Sequence, residues 1–120
     1  MRVEIPMKLP SLNQYINECR RNRYAAAQMK FEVENEISYY IFNIPNFKRP
    51  IKIHFTWIEE NKKRDLDNVC FAKKFILDAM VKCGKLKNDN IKYVIGFTDS
   101  FEYGDKAKVI LDIEEVENDY

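Results

Sequence analysis

The chain has 120 residues, of which 46% are apolar and 13% aromatic, with four prolines and three glycines. That is too rich in Phe, Tyr and Ile for disorder, and a single domain of this size buries roughly two-thirds of its unfolded surface without needing disulfides or a structural metal. No run approaches about 18 apolar residues, and Met1 to Pro10 lacks the basic start and apolar block of a signal peptide, so membrane-spanning and secreted classes are excluded and a cytoplasmic protein is expected. Cys19, Cys70 and Cys83 form no C-x-x-C pair, which fits a reducing compartment, and the single histidine, His54, excludes a multi-histidine metal site. The net charge of +1 conceals a basic middle, with eight Lys and Arg against three Asp from Lys62 to Lys87. It also conceals an acidic end, with seven acids against two lysines from Glu102 to Tyr120.

Arg2 to Leu9 reads as a first strand closed by Pro10, and Ser11, Leu12 and Asn13 are suited to starting a helix. A basic cluster with an adjacent aromatic follows, Arg20, Arg21, Asn22, Arg23 and Tyr24, which is either a solvated turn or a polyanion contact. Ala25, Met29, Val33, Ile37 and Ile41 recur every four residues and predict a long amphipathic helix ending before Pro45. From Ile51 to Ile58 apolar residues alternate with Lys52, His54 and Thr56, a half-buried strand in which His54 faces solvent. From Leu66 the spacing of Val69, Ala72, Ile76 and Met80 predicts a second main helix carrying Lys73 and Lys74 and stopped by Gly84. Ile91, Tyr93, Ile95 and Phe97, then Ala107, Val109, Leu111 and Ile113, predict two strands joined through Tyr103, Gly104 and Asp105 as an antiparallel hairpin. The expected architecture is a single α+β domain over residues 1–120, with a mixed sheet of about four strands packed against two main helices.

Candidate chemistry concentrates in Lys62, Lys63, Arg64, Asp65, Leu66, Asp67 and Asn68, with Asp89 set between Asn88 and Asn90. Asp65 and Asp67, two apart at the exit of the strand from Ile51, would project to one side and repel unless a cation or a basic neighbour intervenes. Mg²⁺ accepts one or two carboxylates plus water and phosphate oxygens, so the pattern suits metal-assisted phosphodiester hydrolysis, with Lys73 or Lys74 offsetting charge on the phosphate. Each residue also has a plainer explanation. Asp67 can cap the second helix, Asp65 can pair with a base, and Asn88 to Asn90 is ordinary loop composition. Tyr24 and Phe71 can wedge against bases or be buried.

Pro10-Ser11-Leu12-Asn13, Arg64-Asp65-Leu66-Asp67-Asn68, Leu77-Asp78-Ala79-Met80, Gly84 and Asn88-Asp89-Asn90 together resemble the RusA family of Holliday junction resolvases, in order and along about the whole chain. Phe71-Ala72-Lys73-Lys74-Phe75-Ile76-Leu77-Asp78 followed by Lys87-Asn88-Asp89-Asn90 resembles its phage and prophage branch. The resemblance implies a RusA-like fold and a homodimeric, Mg²⁺-dependent endonuclease making paired nicks in four-way DNA junctions during recombination or repair, with Mn²⁺ as a substitute ion. It places metal-binding, catalytic aspartates at Asp65, Asp67 and Asp89. The family's catalytic lysine follows the Asp-Asn pair by three residues, which here is Phe71, whereas counting back from Leu77-Asp78-Ala79 gives Lys74, a difference of three residues. Lys74 is therefore preferred and Lys73 is the alternative, while Asp78 takes a supporting role. Two subunits would match the two-fold symmetry of a four-way junction. Asn13, Arg20, Arg21, Arg23, Lys62, Lys63, Arg64 and Lys73 are the expected DNA contacts, gripping phosphates rather than reading bases. A junction-binding protein without cleavage and a charged interaction module, basic middle on a neighbour's acidic end, are the alternatives.

Overall fold

A computed structural model describes residues 1–117, so the last three residues of the acidic stretch lie outside the described residues. The chain runs β1 (Arg2–Ile5), α1 (Leu12–Arg21), α2 (Arg23–Ile41), β2 (Ile51–Glu59), α3 (Leu66–Cys70), α4 (Lys73–Lys82), β3 (Val94–Tyr103) and β4 (Lys108–Glu115). The four strands form one mixed sheet in the order β1-β4-β2-β3, in which β4 is antiparallel to both neighbours and β2 is parallel to β3. Among the described residues no helix is long and apolar enough to cross a membrane.

Local sequence accounts for most of these elements. In β2 the alternation buries Ile51, Ile53, Phe55 and Trp57, while Lys52, His54 and Thr56 fall on the other face. In β4 the buried set is Val109, Leu111 and Ile113. One face of the sheet is thus covered, and Ile37 and Ile41 of α2 and Phe75, Ile76 and Met80 of α4 pack with it in a single core. Ser11 starts α1 through a capping box: its hydroxyl accepts from the Gln14 N–H, and the Gln14 side chain accepts from the Ser11 N–H at 2.8 Å. Asn22 separates α1 from α2, its own N–H closing the first helix and its side chain accepting from the Ala25 N–H at 2.7 Å. Gly84, at φ +76°, ends α4 with the Lys85 N–H bonded back to the Met80 carbonyl at 2.8 Å, a backbone turn that suits glycine.

Four sequence expectations change. The first strand, expected to reach Leu9, stops at Ile5. The predicted second helix is two, α3 and α4, because the chain tightens at Phe71–Ala72, where the N–H groups of Ala72 and Lys74 bond the carbonyls of Val69 and Phe71 three residues back. The strands expected as a hairpin do run antiparallel with a short link, but β2 lies between them and the link crosses its end, Gly104 donating to the Glu59 carbonyl at 2.9 Å. The strand expected from Ile91 begins at Val94, and an extra residue at Ile95 breaks the pairing, since Ile51 faces Val94 while Lys52 faces Gly96. Ile91 falls in the turn before the strand and is 82% exposed, Ile95 faces outward at the shift, and Phe97, Asp99 and Phe101 stand opposite Ile53, Phe55 and Trp57, on the covered side.

Candidate functional site

A cleft of about 560 Å³ opens where α1, α2, α3 and the start of α4 meet. Its floor is aromatic: Tyr15, Phe71 and Phe75 hold one another at centroid separations of 5.6–5.8 Å. Its rim is charged, with Lys30 from α2, Asp67 from α3, and Lys73 and Lys74 from the first turn of α4. The short α3 sets the position of Asp67. Asp65 is its N-cap residue but makes no side-chain cap bond, so neither aspartate caps through its side chain, and Asp67 lies in the first turn. Both therefore sit on a helix start beyond the loop after β2, not on the strand exit that their spacing suggested. The Asn68 side chain fastens this turn to α1, accepting from the Asn13 backbone N–H at 3.2 Å.

The two lysines have different partners. Lys74, with its side chain 57% exposed, lies 3.1 Å from Asp78 and 3.7 Å from Asp89. Asp78 also faces Lys30 at 3.1 Å, a charge pair outside good hydrogen-bond geometry, and Lys30 reaches the buried Glu34 at 3.8 Å. A chain of charges thus links α2, α4 and the loop bearing Asp89. Burial alone would raise the Asp78 carboxyl, but the ammonium groups of Lys30 and Lys74 overcome that and hold it below its ordinary value. The same contact with Asp78 raises Lys30 against the effect of burial. Lys73 is enclosed: its ammonium is 2.7 Å from Asp99 and 4.2 Å from the Phe97 ring centroid, with the side chain 15% exposed. The other Asp99 oxygen accepts the Trp57 indole N–H at 2.8 Å. In the cleft wall the Cys70 thiol is pushed above its ordinary value, chiefly by burial and then by Asp99.

The expected residues converge only in part. Asp67, Lys73 and Lys74 share the cleft, and Lys74 ties in Asp89. Among the described residues no three His, Cys, Asp or Glu side chains are grouped to hold a metal ion, so Asp65, Asp67 and Asp89 do not form a three-ligand set in this chain. Arg64 is committed internally, to Glu59 at 3.1 Å and the Leu9 carbonyl at 3.0 Å, and is a structural residue rather than a free phosphate grip. Lys73 is likewise engaged. Asn13 meets α3 through its backbone, while Arg20, Arg21 and Arg23 sit exposed at the α1–α2 elbow, Arg21 near Glu18 and Arg23 over Tyr24. That elbow is one α1 length, about 15 Å, from the cleft end of the helix. Lys63 is exposed in the loop after β2, and Lys62 lies over the Tyr103 ring. Phe71, a candidate wedge, is partly buried in the cleft floor.

No family model and no curated protein matches this chain. Function must therefore be argued from the side chains themselves. Three residues of the site had no motif to announce them: Lys30, Trp57 and Asp99. The one available signal was Asp99 itself, an acid in the alternation Phe97-Thr98-Asp99-Ser100-Phe101 at a position where the pattern calls for an apolar side chain. On the open face of the sheet His54 bonds the hydroxyls of Thr98 and Ser100 in a separate hollow of about 570 Å³ that also takes in Asp112. It is half-buried there rather than free in solvent, and none of the expected site residues lies beside it.

Proposed function

We propose that the protein is a structure-selective endodeoxyribonuclease of the RusA type, cytoplasmic and phage- or bacterium-encoded, that acts as a homodimer on four-way or related branched DNA. The observation that supports it most is the meeting of Lys74 with Asp89 at 3.7 Å beside a cleft that Asp67 and Lys73 also line. Asp67, Lys73, Lys74 and Asp89, four of the residues linked by motif order, thus fall at or next to one cleft, where ammonium groups could offset charge on a phosphate.

Mg²⁺, or Mn²⁺ in its place, is the cofactor this reading implies, and when bound it would supply an activated water and neutralise phosphate charge. Asp65, Asp67 and Asp89 do not converge into a three-ligand set within one chain. The chain's own residues divide the remaining work. Lys74 presents an exposed cation to a phosphate oxygen, while the elbow arginines and the loop lysines Lys62 and Lys63 hold the backbone of the DNA arms without reading sequence. Two copies related by a two-fold axis would offer equivalent sites to opposed strands of a junction. The dispersal of the aspartates favours one second reading, a protein that binds junctions without cutting them.

Cleavage of a labelled synthetic four-way junction, beside a linear duplex of the same sequence, tests both. Wild type with Mg²⁺ is expected to make paired nicks confined to the junction, and EDTA or Asp67→Asn to abolish them. Tight binding without nicks would establish the second reading, and the absence of both would refute the assignment to branched DNA.

A further inference from the structure

The pair formed by Lys73 and Asp99 is costly as a folding device. Lys73 is the first residue of α4, followed by Lys74, with no acid in that turn and no side-chain cap, so two cations stand at the positive end of a helix. Asp99 lies near the middle of a strand, on its covered side, where β-branched or aromatic residues fit better. Both side chains are mostly withdrawn from water, at 15% and 23% exposure, and an enclosed ion pair is often no better for stability than apolar groups of the same size. Local choices that oppose the fold in this way mark functional sites. The surroundings are ordered accordingly. Trp57 is stacked on Phe55 with ring centroids 5.5 Å apart and gives its N–H to one Asp99 oxygen, and Lys73 occupies the other while resting on Phe97.

We propose that Asp99 and Trp57 are positioning residues that fix Lys73 in the wall of the cleft that Asp67 also lines, making Lys73 the preorganised cation of the site and the more exposed Lys74 its companion. The inference rests on the nuclease reading. A lysine held by one carboxylate keeps two further N–H donors, and fixing it before substrate arrives avoids reorganisation when charge builds on the phosphate. Asp99, with one donor on each oxygen, is an anchor and not a ligand.

The experiment compares wild type, Asp99→Asn, Trp57→Phe and Lys73→Met, together with the Asp99→Asn/Lys73→Met double variant. Cleavage of the four-way junction is measured with Mg²⁺, junction affinity with EDTA, and folding by thermal melting. Trp57→Phe keeps the aromatic stack and removes only the N–H, so it reports even where the Asp99 variant melts early. Asp99→Asn and Lys73→Met are each expected to lower kcat on the order of 10²-fold, with junction Kd changed less than about twofold. The double variant should be no worse than either single one, since both remove the same device. Trp57→Phe should show a smaller loss in the same direction. Wild-type kcat in a folded Asp99→Asn, or losses that multiply in the double variant, would overturn the assignment while leaving the nuclease reading intact. A wild type that cuts nothing would overturn both.

Discussion

Replacing Asp78 by asparagine isolates the charge chain that holds Lys74. Its carboxylate is opposite Lys30 and Lys74, each at 3.1 Å, and its side chain is 17% exposed. Both lysines reach water, so each contact is discounted for screening: about 1 kcal/mol for Lys30, which bridges two helices, and about 0.5 kcal/mol for the i,i+4 pair with Lys74. Unfolding entropy for a chain of this length is about 0.25 kcal/mol per kelvin, so a loss of about 1.5 kcal/mol lowers Tm by about 6 °C at neutral pH. The sign of the pH dependence follows from the depressed carboxyl. Asp78 titrates below its ordinary 3.8 in the folded protein, so its contribution is complete above that value and disappears as pH falls through the folded pKa. The gap between wild type and Asp78→Asn, followed by urea unfolding, should be flat from pH 7 to 5 and close below about pH 4. A difference under about 2 °C at pH 7, or one that persists undiminished at pH 3, would refute the assignment of these contacts.

Ser11→Ala removes half of the α1 capping box and should cost about 1 kcal/mol, read as a drop of about 4 °C in Tm; an unchanged melting curve would mean that α1 is held by packing alone. Changing Arg20, Arg21 and Arg23 together to alanine should weaken junction binding and reduce the slope of log K against log salt by about 2 to 3, with Tm little affected; an unaltered slope would remove the elbow from the DNA path. Alkylation followed by mass spectrometry should find Cys19 modified first, because it is exposed, with Cys70 lagging and reaching half its maximal rate only above pH 9. Equal rates for the two thiols at pH 8 would contradict the partial burial of Cys70 and its raised thiol.

What the sequence disclosed was local. The alternation in β2 and β4, the stripe ending in Ile37 and Ile41, the stop at Gly84 and the cap at Ser11 each follow from a few neighbouring residues, and the structure has them all. What it concealed depended on partners far along the chain. Val69, Ala72, Ile76 and Met80 are all buried, so the stripe reads as one helix even though the backbone tightens at Phe71–Ala72 in its midst. The apparent core face Ile91-Tyr93-Ile95 is lost because Ile91 and Tyr93 lie in the turn before the strand and the extra residue at Ile95 makes Val94, not Ile95, the buried one. The placing of β4 between β1 and β2 leaves no trace in any one segment. Arg64 looked like a free base in a basic run, but its fate is decided by Glu59 and by the carbonyl of Leu9, 55 positions away.

The carboxylates of the site divide by how their charge is met. Asp78, Asp89 and Asp99 each lie within 4 Å of a lysine, and at Asp78 those neighbours hold the carboxyl below its ordinary value. Among the described residues, Asp65 and Asp67 have no such ion pair, and they are carried at the start of α3, where a helix tolerates negative charge without a cation. A fold needing only stability would gain by pairing them with the abundant lysines nearby. Those lysines are held instead by other acids, Lys73 by Asp99 and Lys74 by Asp78 and Asp89, which keeps the ammonium groups at the cleft while leaving Asp67 uncompensated on its rim. On the nuclease reading, an arrangement that leaves its most available anion unpaired would stay receptive to both a positive ion and a phosphate, and a single set of saturated ion pairs would be receptive to neither.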